Sequence, residues 1–151
     1  IKHSNDILMD HSGQLQPVIV HEMGHVLGFG TLWGPLLAGN GTSTPTFVGP
    51  VARGAWNAIG GSGDGVPVEA TGGPGTAYAH WSEAVFGNEL MTGYINGATN
   101  PLSAVTVGSL ADLGYGVDLG AADAFGVPAL RQPTTTEVPL RITLLRPIGR
   151  V

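Results

Sequence analysis

Residues 17–28 read PVIVHEMGHVLG and are the most informative segment of the chain. The opening proline suits the first position of a helix and the closing glycine suits the turn that ends one, so the segment predicts a helix. At about 100° per residue, His21, Glu22 and His25 fall on one side of it. The opposite side is apolar and carries Ile19, Val20, Met23, Val26 and Leu27. We therefore predict that one side packs against a core and that the other carries the chemistry.

Residues 21–25 form an H-E-x-x-H motif. Four residues make about one helical turn, so the imidazoles of His21 and His25 can bind one zinc ion from the same face. Glu22 is not needed as a ligand and can take a proton from a zinc-bound water. A histidine pair that is merely hydrogen-bonded at a surface is the structural alternative, and the apolar opposite side favours the zinc site.

A catalytic zinc needs a third protein ligand besides this pair. In the compact form of the motif a glycine and then a histidine follow at intervals of three residues. Gly28 matches the glycine, but Thr31 occupies the histidine position. The third ligand must therefore come from a more distant part of the chain.

His80 is the predicted third ligand. His3 and His11 precede the helix in a polar stretch, where a solvated histidine is the commoner outcome. Glu69 and Glu83 remain alternatives, because a downstream Glu completes the site in thermolysin-type zinc peptidases.

Met91 follows His80 within the segment NELMTG, residues 88–93. A Met in such a turn usually packs in a core. Its order after the zinc helix and His80 instead favours a place beneath the metal. We expect Tyr94 to pack in the core or at the rim of the site.

Composition limits the classes of protein that fit. A hydrophobic content of 42% and a charged content of 11% predict one folded domain, and 25 Gly with 11 Pro predict long irregular loops. A net charge of -5 with six Lys and Arg argues against nucleic-acid binding. No apolar run is long enough to span a membrane. The absence of Cys leaves His, Asp and Glu as metal ligands.

Other elements follow from turn residues and periodicity. A short helix is predicted over Val51–Ile59, a strand over Val66–Glu69, and a further helix over Leu102–Leu113 with Asn100 as its N-cap. Residues Leu140–Leu145 are predicted to form an edge strand or to pair with another segment. The three tryptophans are predicted to be core or cleft aromatics without a cofactor role: Trp33, Trp56 and Trp81.

Three stretches together resemble the leishmanolysin-like zinc metallopeptidases of the metzincin clan: HEMGHVLGF at 21–29, His80-Trp81, and Glu89-Leu90-Met91. The resemblance spans roughly residues 6–118. It implies an α+β, metzincin or zincin-like catalytic domain of helices and long irregular loops. It also implies that one Zn2+ ion is held by His21, His25 and His80, that Glu22 is the general base, and that Met91 forms the Met-turn.

The resemblance divides the chain into a zinc peptidase core, residues 1–127, and a C-terminal tail or edge strand, residues 128–151. Within the core it implies a zinc helix at 17–28, a long insertion at 29–79, a third-histidine and Met-turn segment at 80–94, and a C-terminal helix at 101–114.

Two departures shape the expectation. Because it has no cysteine, the chain resembles bacterial relatives more than the cysteine-rich eukaryotic ones. Few residues precede His21, so the chain is expected to lack most of the N-terminal sheet subdomain and to be the C-terminal part of a larger precursor with weak turnover. The missing precursor segment is then an expected partner.

The sequence thus predicts a secreted zinc-dependent endopeptidase that acts on protein or peptide substrates by Glu-assisted attack of a zinc-bound water. Two alternatives stay open. One is a non-enzymatic module that zinc stabilises, and the other is a peptide-binding fragment derived from a metallopeptidase.

Overall fold

A computed structural model describes residues 13–95, 97 and 99–130 of the chain. These residues form four α-helices and one small antiparallel sheet, so the predicted α+β class is confirmed. The helices are α1 (Leu15–Val26), α2 (Pro50–Ala58), α3 (Glu83–Phe86) and α4 (Ala104–Asp112). The strands are β1 (Leu37–Ala38), β2 (Thr46–Phe47) and β3 (Val66–Pro67), in the order β1-β2-β3. Short 3-10 helices lie at Gly34–Leu36, Leu119–Ala121 and Pro128–Leu130.

Helix α1 begins two residues before the predicted start and has no side-chain cap. It ends before Gly28, whose φ of 108° is the left-handed conformation that a terminating glycine adopts readily. The prediction that its apolar side packs in the core is wrong for the described residues. Met23 is 57% exposed and Val26 is 86% exposed. The other apolar residues of this side are also exposed, to a lesser extent: Ile19, Val20 and Leu27. The described elements instead bury His21.

Helices α2 and α4 pack closely against each other. A Cβ on Gly108 would lie 3.0 Å from the backbone nitrogen of Ala52, so the glycine permits the close approach. The Asp112 carboxylate, at the end of α4, accepts hydrogen bonds from the first amides of α2, at 2.9 Å from both Val51 and Ala52. This contact satisfies two amides that would otherwise lack a partner.

Helix α4 begins later than predicted. Its N-cap is Ser103, whose hydroxyl accepts a hydrogen bond from the Thr106 amide, and not Asn100. The predicted helix at residues 51–59 is confirmed with a shift of one residue. The strand predicted over residues 66–69 is shorter than expected, because Val68 forms only an isolated bridge to Trp81.

Residues 29–79 are not a simple loop. They contain α2, the 3-10 helix at Gly34–Leu36 and the strands β1, β2 and β3. Strands β1 and β2 were not predicted. Phe29, Trp33 and Phe47 are fully buried together with Trp81, and their rings lie 4.5–5.8 Å apart. The prediction that the tryptophans are core residues is confirmed, since Trp56 is also buried.

None of the helices formed by the described residues is long and apolar enough to cross a membrane. The predicted edge strand at Leu140–Leu145 lies outside the described residues, as do His3 and His11.

Candidate metal centre

Three imidazole rings converge at one point of the structure. The Nε2 atom of His25 lies 3.0 Å from Nε2 of His21 and 3.0 Å from Nε2 of His80. The Nε2 atoms of His21 and His80 are 3.2 Å apart. Two of these rings come from one turn of α1, and the third comes from a segment 55 residues further along the chain.

The other ring nitrogen of each histidine is held by a backbone carbonyl. Nδ1 of His21 lies 2.7 Å from the Leu90 oxygen, Nδ1 of His25 lies 3.0 Å from the Phe29 oxygen, and Nδ1 of His80 lies 3.0 Å from the Thr76 oxygen. A carbonyl can only accept, so each Nδ1 must be the donor. In a neutral imidazole this leaves Nε2 without a proton. All three Nε2 atoms therefore present lone pairs to one another.

Burial keeps two of these rings neutral. It lowers the pKa of His80 to about 4, and the neighbouring His25 and His21 act in the same direction. Burial likewise lowers the pKa of His21, although the hydrogen bond to Leu90 opposes this. At neutral pH the Nε2 atoms of His21 and His80 are therefore acceptors. Three facing lone pairs repel, and a cation between them would remove the repulsion.

The spacing fits a zinc ion. The three Nε2 atoms, 3.0–3.2 Å apart, are close enough to share one ion at the usual zinc–nitrogen distance of about 2.1 Å. Three histidines with one side open is the donor set of a catalytic rather than a structural zinc site. The carbonyl on each Nδ1 is the outer partner that usually fixes the tautomer of a metal-ligating histidine.

Local contacts bring His80 back to α1. The backbone at Gly30, with φ of 71°, passes so close to Ala79 that a Cβ at this glycine would lie 2.8 Å from the Ala79 Cα. The Glu69 amide donates to the His80 carbonyl at 2.9 Å, and the Tyr78 amide donates to the Glu69 carbonyl at 2.8 Å. Tyr78 has a positive φ of 64°, an uncommon conformation for a bulky residue. The segment before His80 is thus folded back tightly onto its neighbours.

Met91 is 1% exposed and lies against the histidine helix. A Cβ on Gly24 would approach its Sδ atom to 2.9 Å and its Cε atom to 2.8 Å. Gly24 stands between the two histidines of α1, so Met91 supports the helix at that level. The absence of a side chain on Gly24 makes room for the thioether.

Glu22 is exposed. Its negative charge raises the pKa of both His21 and His80, against the larger effect of burial, so it lies within electrostatic range of the cluster. An exposed carboxylate beside the three rings can exchange protons with a water molecule there.

The alternative third ligands are not part of the cluster. Among the described residues, the groups that could hold a metal include only the three histidines. The Glu69 carboxylate accepts hydrogen bonds from Thr71 and from the Glu83 amide, and although burial would raise its pKa, these bonds lower it. Thr31 donates its hydroxyl proton to the His25 carbonyl. Tyr94 is 59% exposed, so it is not a core residue.

Sequence reasoning gave no role to one residue close to the site. Glu89 is fully buried, and its carboxylate accepts hydrogen bonds from the backbone of Met91 and Ser103. The signal available in the sequence was an acidic residue directly before the apolar pair Leu90-Met91, in a chain with few charges. A carboxylate in that setting is seldom buried unless it is well hydrogen-bonded.

Comparison with known families gives one match. A sequence model of the leishmanolysin peptidase family matches residues 41–127, more than half of the 151 residues. No curated protein and no solved structure matches the chain. The matched region contains His80 and Met91 but begins after α1.

Proposed function

We propose that this chain, which belongs to the leishmanolysin family, is a zinc-dependent endopeptidase. The ligands in this proposal are His21, His25 and His80, and the general base is Glu22. The substrates are proteins or peptides.

The observation that carries the proposal is the convergence of three Nε2 atoms within 3.2 Å of one another. Each Nδ1 lies against a backbone carbonyl, so in neutral rings the three Nε2 lone pairs face one another, and a metal cation satisfies all three. Histidine nitrogens suit zinc, and a site with three protein ligands keeps a position open for chemistry.

Two independent observations support the same conclusion. The family match rests on residues 41–127 and does not include the H-E-x-x-H helix. The structure nevertheless brings both histidines of that helix to within 3.2 Å of His80, which lies inside the matched region. An unrelated helix with two histidines would have no reason to meet the third one there.

When bound, zinc would supply a Lewis acid that polarises the scissile carbonyl and makes water a stronger acid. Glu22 is the residue of this chain that takes the proton from the attacking water and later delivers it to the leaving amine. Its exposure leaves it reachable from solvent, and its position next to His21 keeps it beside the reacting atoms. No covalent intermediate with the protein is required.

Met91 completes the proposed centre as the Met-turn. Its packing against Gly24, which stands between the two histidines of α1, supports this assignment. We also propose that the protein acts at the cell surface or outside the cell, as members of this family do. A further segment of the same precursor is the proposed cover for the exposed apolar side of α1.

Metal content and peptide cleavage test the proposal together. Purified protein should contain about one zinc per chain by elemental analysis and should cleave a mixed peptide library in a chelator-sensitive way. Replacing Glu22 by Gln should keep the metal and lower the rate about 100-fold or more, as expected for loss of a general base. A metal-bound chain whose cleavage is unaffected by this change would contradict the assigned role.

The histidine assignment has its own matched control. His80→Ala should lose most of the zinc, whereas His11→Ala, at a histidine that the sequence predicts to be solvated, should retain it. Equal zinc content in the two variants would exclude His80 as a ligand. Full zinc content without any Glu22-dependent cleavage would instead support the non-catalytic, zinc-stabilised alternative.

A further inference from the structure

Glu89 is a buried carboxylate that the peptidase mechanism does not use. It has no exposed surface, and it lies two residues before Met91. One carboxylate oxygen, Oε2, accepts a hydrogen bond of 2.6 Å from the Met91 amide. The other, Oε1, accepts from the Ser103 amide at 3.0 Å, the Ser103 hydroxyl at 2.7 Å and the Thr106 hydroxyl at 2.5 Å.

We propose that Glu89 is a positioning residue of the metal centre: it holds the Leu90–Met91 peptide so that the Leu90 carbonyl accepts the Nδ1 proton of His21. This inference rests on the proposed metal site and extends it to the support of one ligand.

The connection runs through a single rigid unit. The Met91 amide donates to Glu89, and the Leu90 carbonyl accepts from His21. These two groups belong to the same peptide bond. A peptide bond is planar, so fixing its N–H also fixes the direction of its C=O. A charged acceptor on the N–H also polarises the peptide and makes its carbonyl a better acceptor. Both effects hold His21 in the tautomer whose Nε2 faces the cluster.

The opposite oxygen of Glu89 anchors this arrangement to α4. Ser103 is the N-cap of that helix, and Thr106 lies in its first turn. The Thr106 hydroxyl accepts a hydrogen bond of 2.8 Å from the Trp81 indole, so its own proton is directed to Glu89. Trp81 follows His80 and donates its amide to the Met91 carbonyl at 3.0 Å. One carboxylate therefore joins the support of His21, the turn at Met91 and the segment that carries His80.

The four hydrogen bonds to Glu89 are all donated to it, which is the pattern of an ionised carboxylate. Burial raises the pKa of Glu89, and the bonds from Thr106, Met91 and Ser103 oppose that rise. Glutamine in its place cannot satisfy the same set. If the amide oxygen faces Ser103 and Thr106, the NH2 group faces the Met91 amide, and two donors oppose each other. If the amide is turned, the NH2 group faces three donors instead.

The test measures zinc affinity by competition with a chromophoric chelator in the full chain. Glu89→Gln should bind zinc about 10–100-fold more weakly than the unmodified chain, the usual effect of losing an outer-shell partner. Asp112→Asn is the matched control, since it also removes a carboxylate that accepts two amides but lies on the α2–α4 contact. Its zinc affinity should stay within about twofold, because distant sites act independently.

Replacing zinc by cobalt adds a spectroscopic measurement that a general loss of stability would not change. The visible absorption bands of the Co2+-loaded protein should shift in Glu89→Gln and should be unchanged in Asp112→Asn. Equal affinity and identical spectra for Glu89→Gln and the unmodified chain would overturn the inference while leaving the zinc site intact. A lack of zinc binding by the unmodified chain would instead overturn the proposed function.

A measurement on the unmodified protein decides the case in which Glu89→Gln does not fold. In the zinc-loaded chain, the Met91 amide proton should resonate far downfield and exchange slowly with solvent, because it is buried in a short bond to a charged acceptor. An ordinary chemical shift with rapid exchange would show that Glu89 does not hold this peptide, and would overturn the inference.

Discussion

Gly30→Ala tests how the chain brings His80 to the histidine helix. Gly30 has a φ of 71°, and its backbone lies against that of Ala79, the residue before His80. The added methyl would approach the Ala79 carbonyl carbon to 2.9 Å and its Cα to 2.8 Å. Because these are backbone atoms, no side-chain rotation can relieve the contact.

The expected loss of stability has two parts. A left-handed φ costs an alanine about 1–2 kcal/mol, and overpacking costs about 1–3 kcal/mol more. Together they predict a decrease of about 2–5 kcal/mol in the free energy of unfolding. Gly41→Ala is the control: Gly41 has a φ of 81°, but nothing lies within 4 Å of its Cβ position. It should lose only the first part, about 1–2 kcal/mol.

Urea denaturation of both variants gives the difference, and zinc affinity shows its consequence. If the close approach positions His80, Gly30→Ala should bind zinc about tenfold more weakly or worse, while Gly41→Ala should match the unmodified chain. The reasoning is refuted if the two variants have the same free energy of unfolding and the same zinc affinity. That result would mean that the segment before His80 moves without cost.

Two further predictions concern pH and metal removal. The folded chain keeps His80 neutral with a pKa near 4, whereas the unfolded chain has a value near 6.5, so only the unfolded chain gains this proton as the pH falls. Stability of the metal-free protein should therefore be full above pH 6.5 and decrease by up to about 3 kcal/mol as the pH falls to 4. His21 adds to this in the same direction. Thermal melts of chelated protein between pH 7 and 4 check this, and a pH-independent melting temperature would contradict it. Chelation at neutral pH should leave the fluorescence of the buried tryptophans unchanged, and a red shift to the unfolded spectrum would contradict a site formed before metal binding.

The sequence was sufficient for the helix that carries His21 and His25 and for the expectation that His80 lies beside them. Helical periodicity places His21 and His25 one turn apart without any tertiary information. The presence of helices near residues 51–59 and 102–113 followed from a proline at one end and a glycine at the other. These features depend on neighbours in the chain, which a sequence displays directly.

The start of α4 was misplaced because two capping residues competed. Asn100 and Ser103 both suit an N-cap, and Pro101 favours the earlier one. The buried Glu89 decides between them, since it accepts both the amide and the hydroxyl of Ser103. That contact joins residues 14 positions apart and has no signature in a local window.

The apolar side of α1 was misjudged for a different reason. Periodicity shows that Met23 and Val26 share a side, and burial of such a side is the ordinary outcome. Burial also needs close packing, and this side of α1 only borders an apolar pocket that it shares with Leu102 and Leu110. The histidine side is the one that meets the rest of the described fold. Amphipathicity predicts which residues share a side and leaves open what covers it.

The order in which the site forms follows from where its aromatic core lies. Phe29 lies just beyond the turn that ends the histidine helix, Trp81 directly follows His80, and their ring centroids are 5.1 Å apart. Apolar packing beside the histidines therefore holds the two parts of the site together. The free energy of this packing does not depend on a bound metal. The carbonyl acceptors on each Nδ1 are likewise backbone groups of the same fold. The fold thus holds the three Nε2 atoms close together even though their lone pairs repel one another. The proposed zinc ion would then meet a site whose geometry is already formed, unlike the small zinc domains that fold only when metal is present.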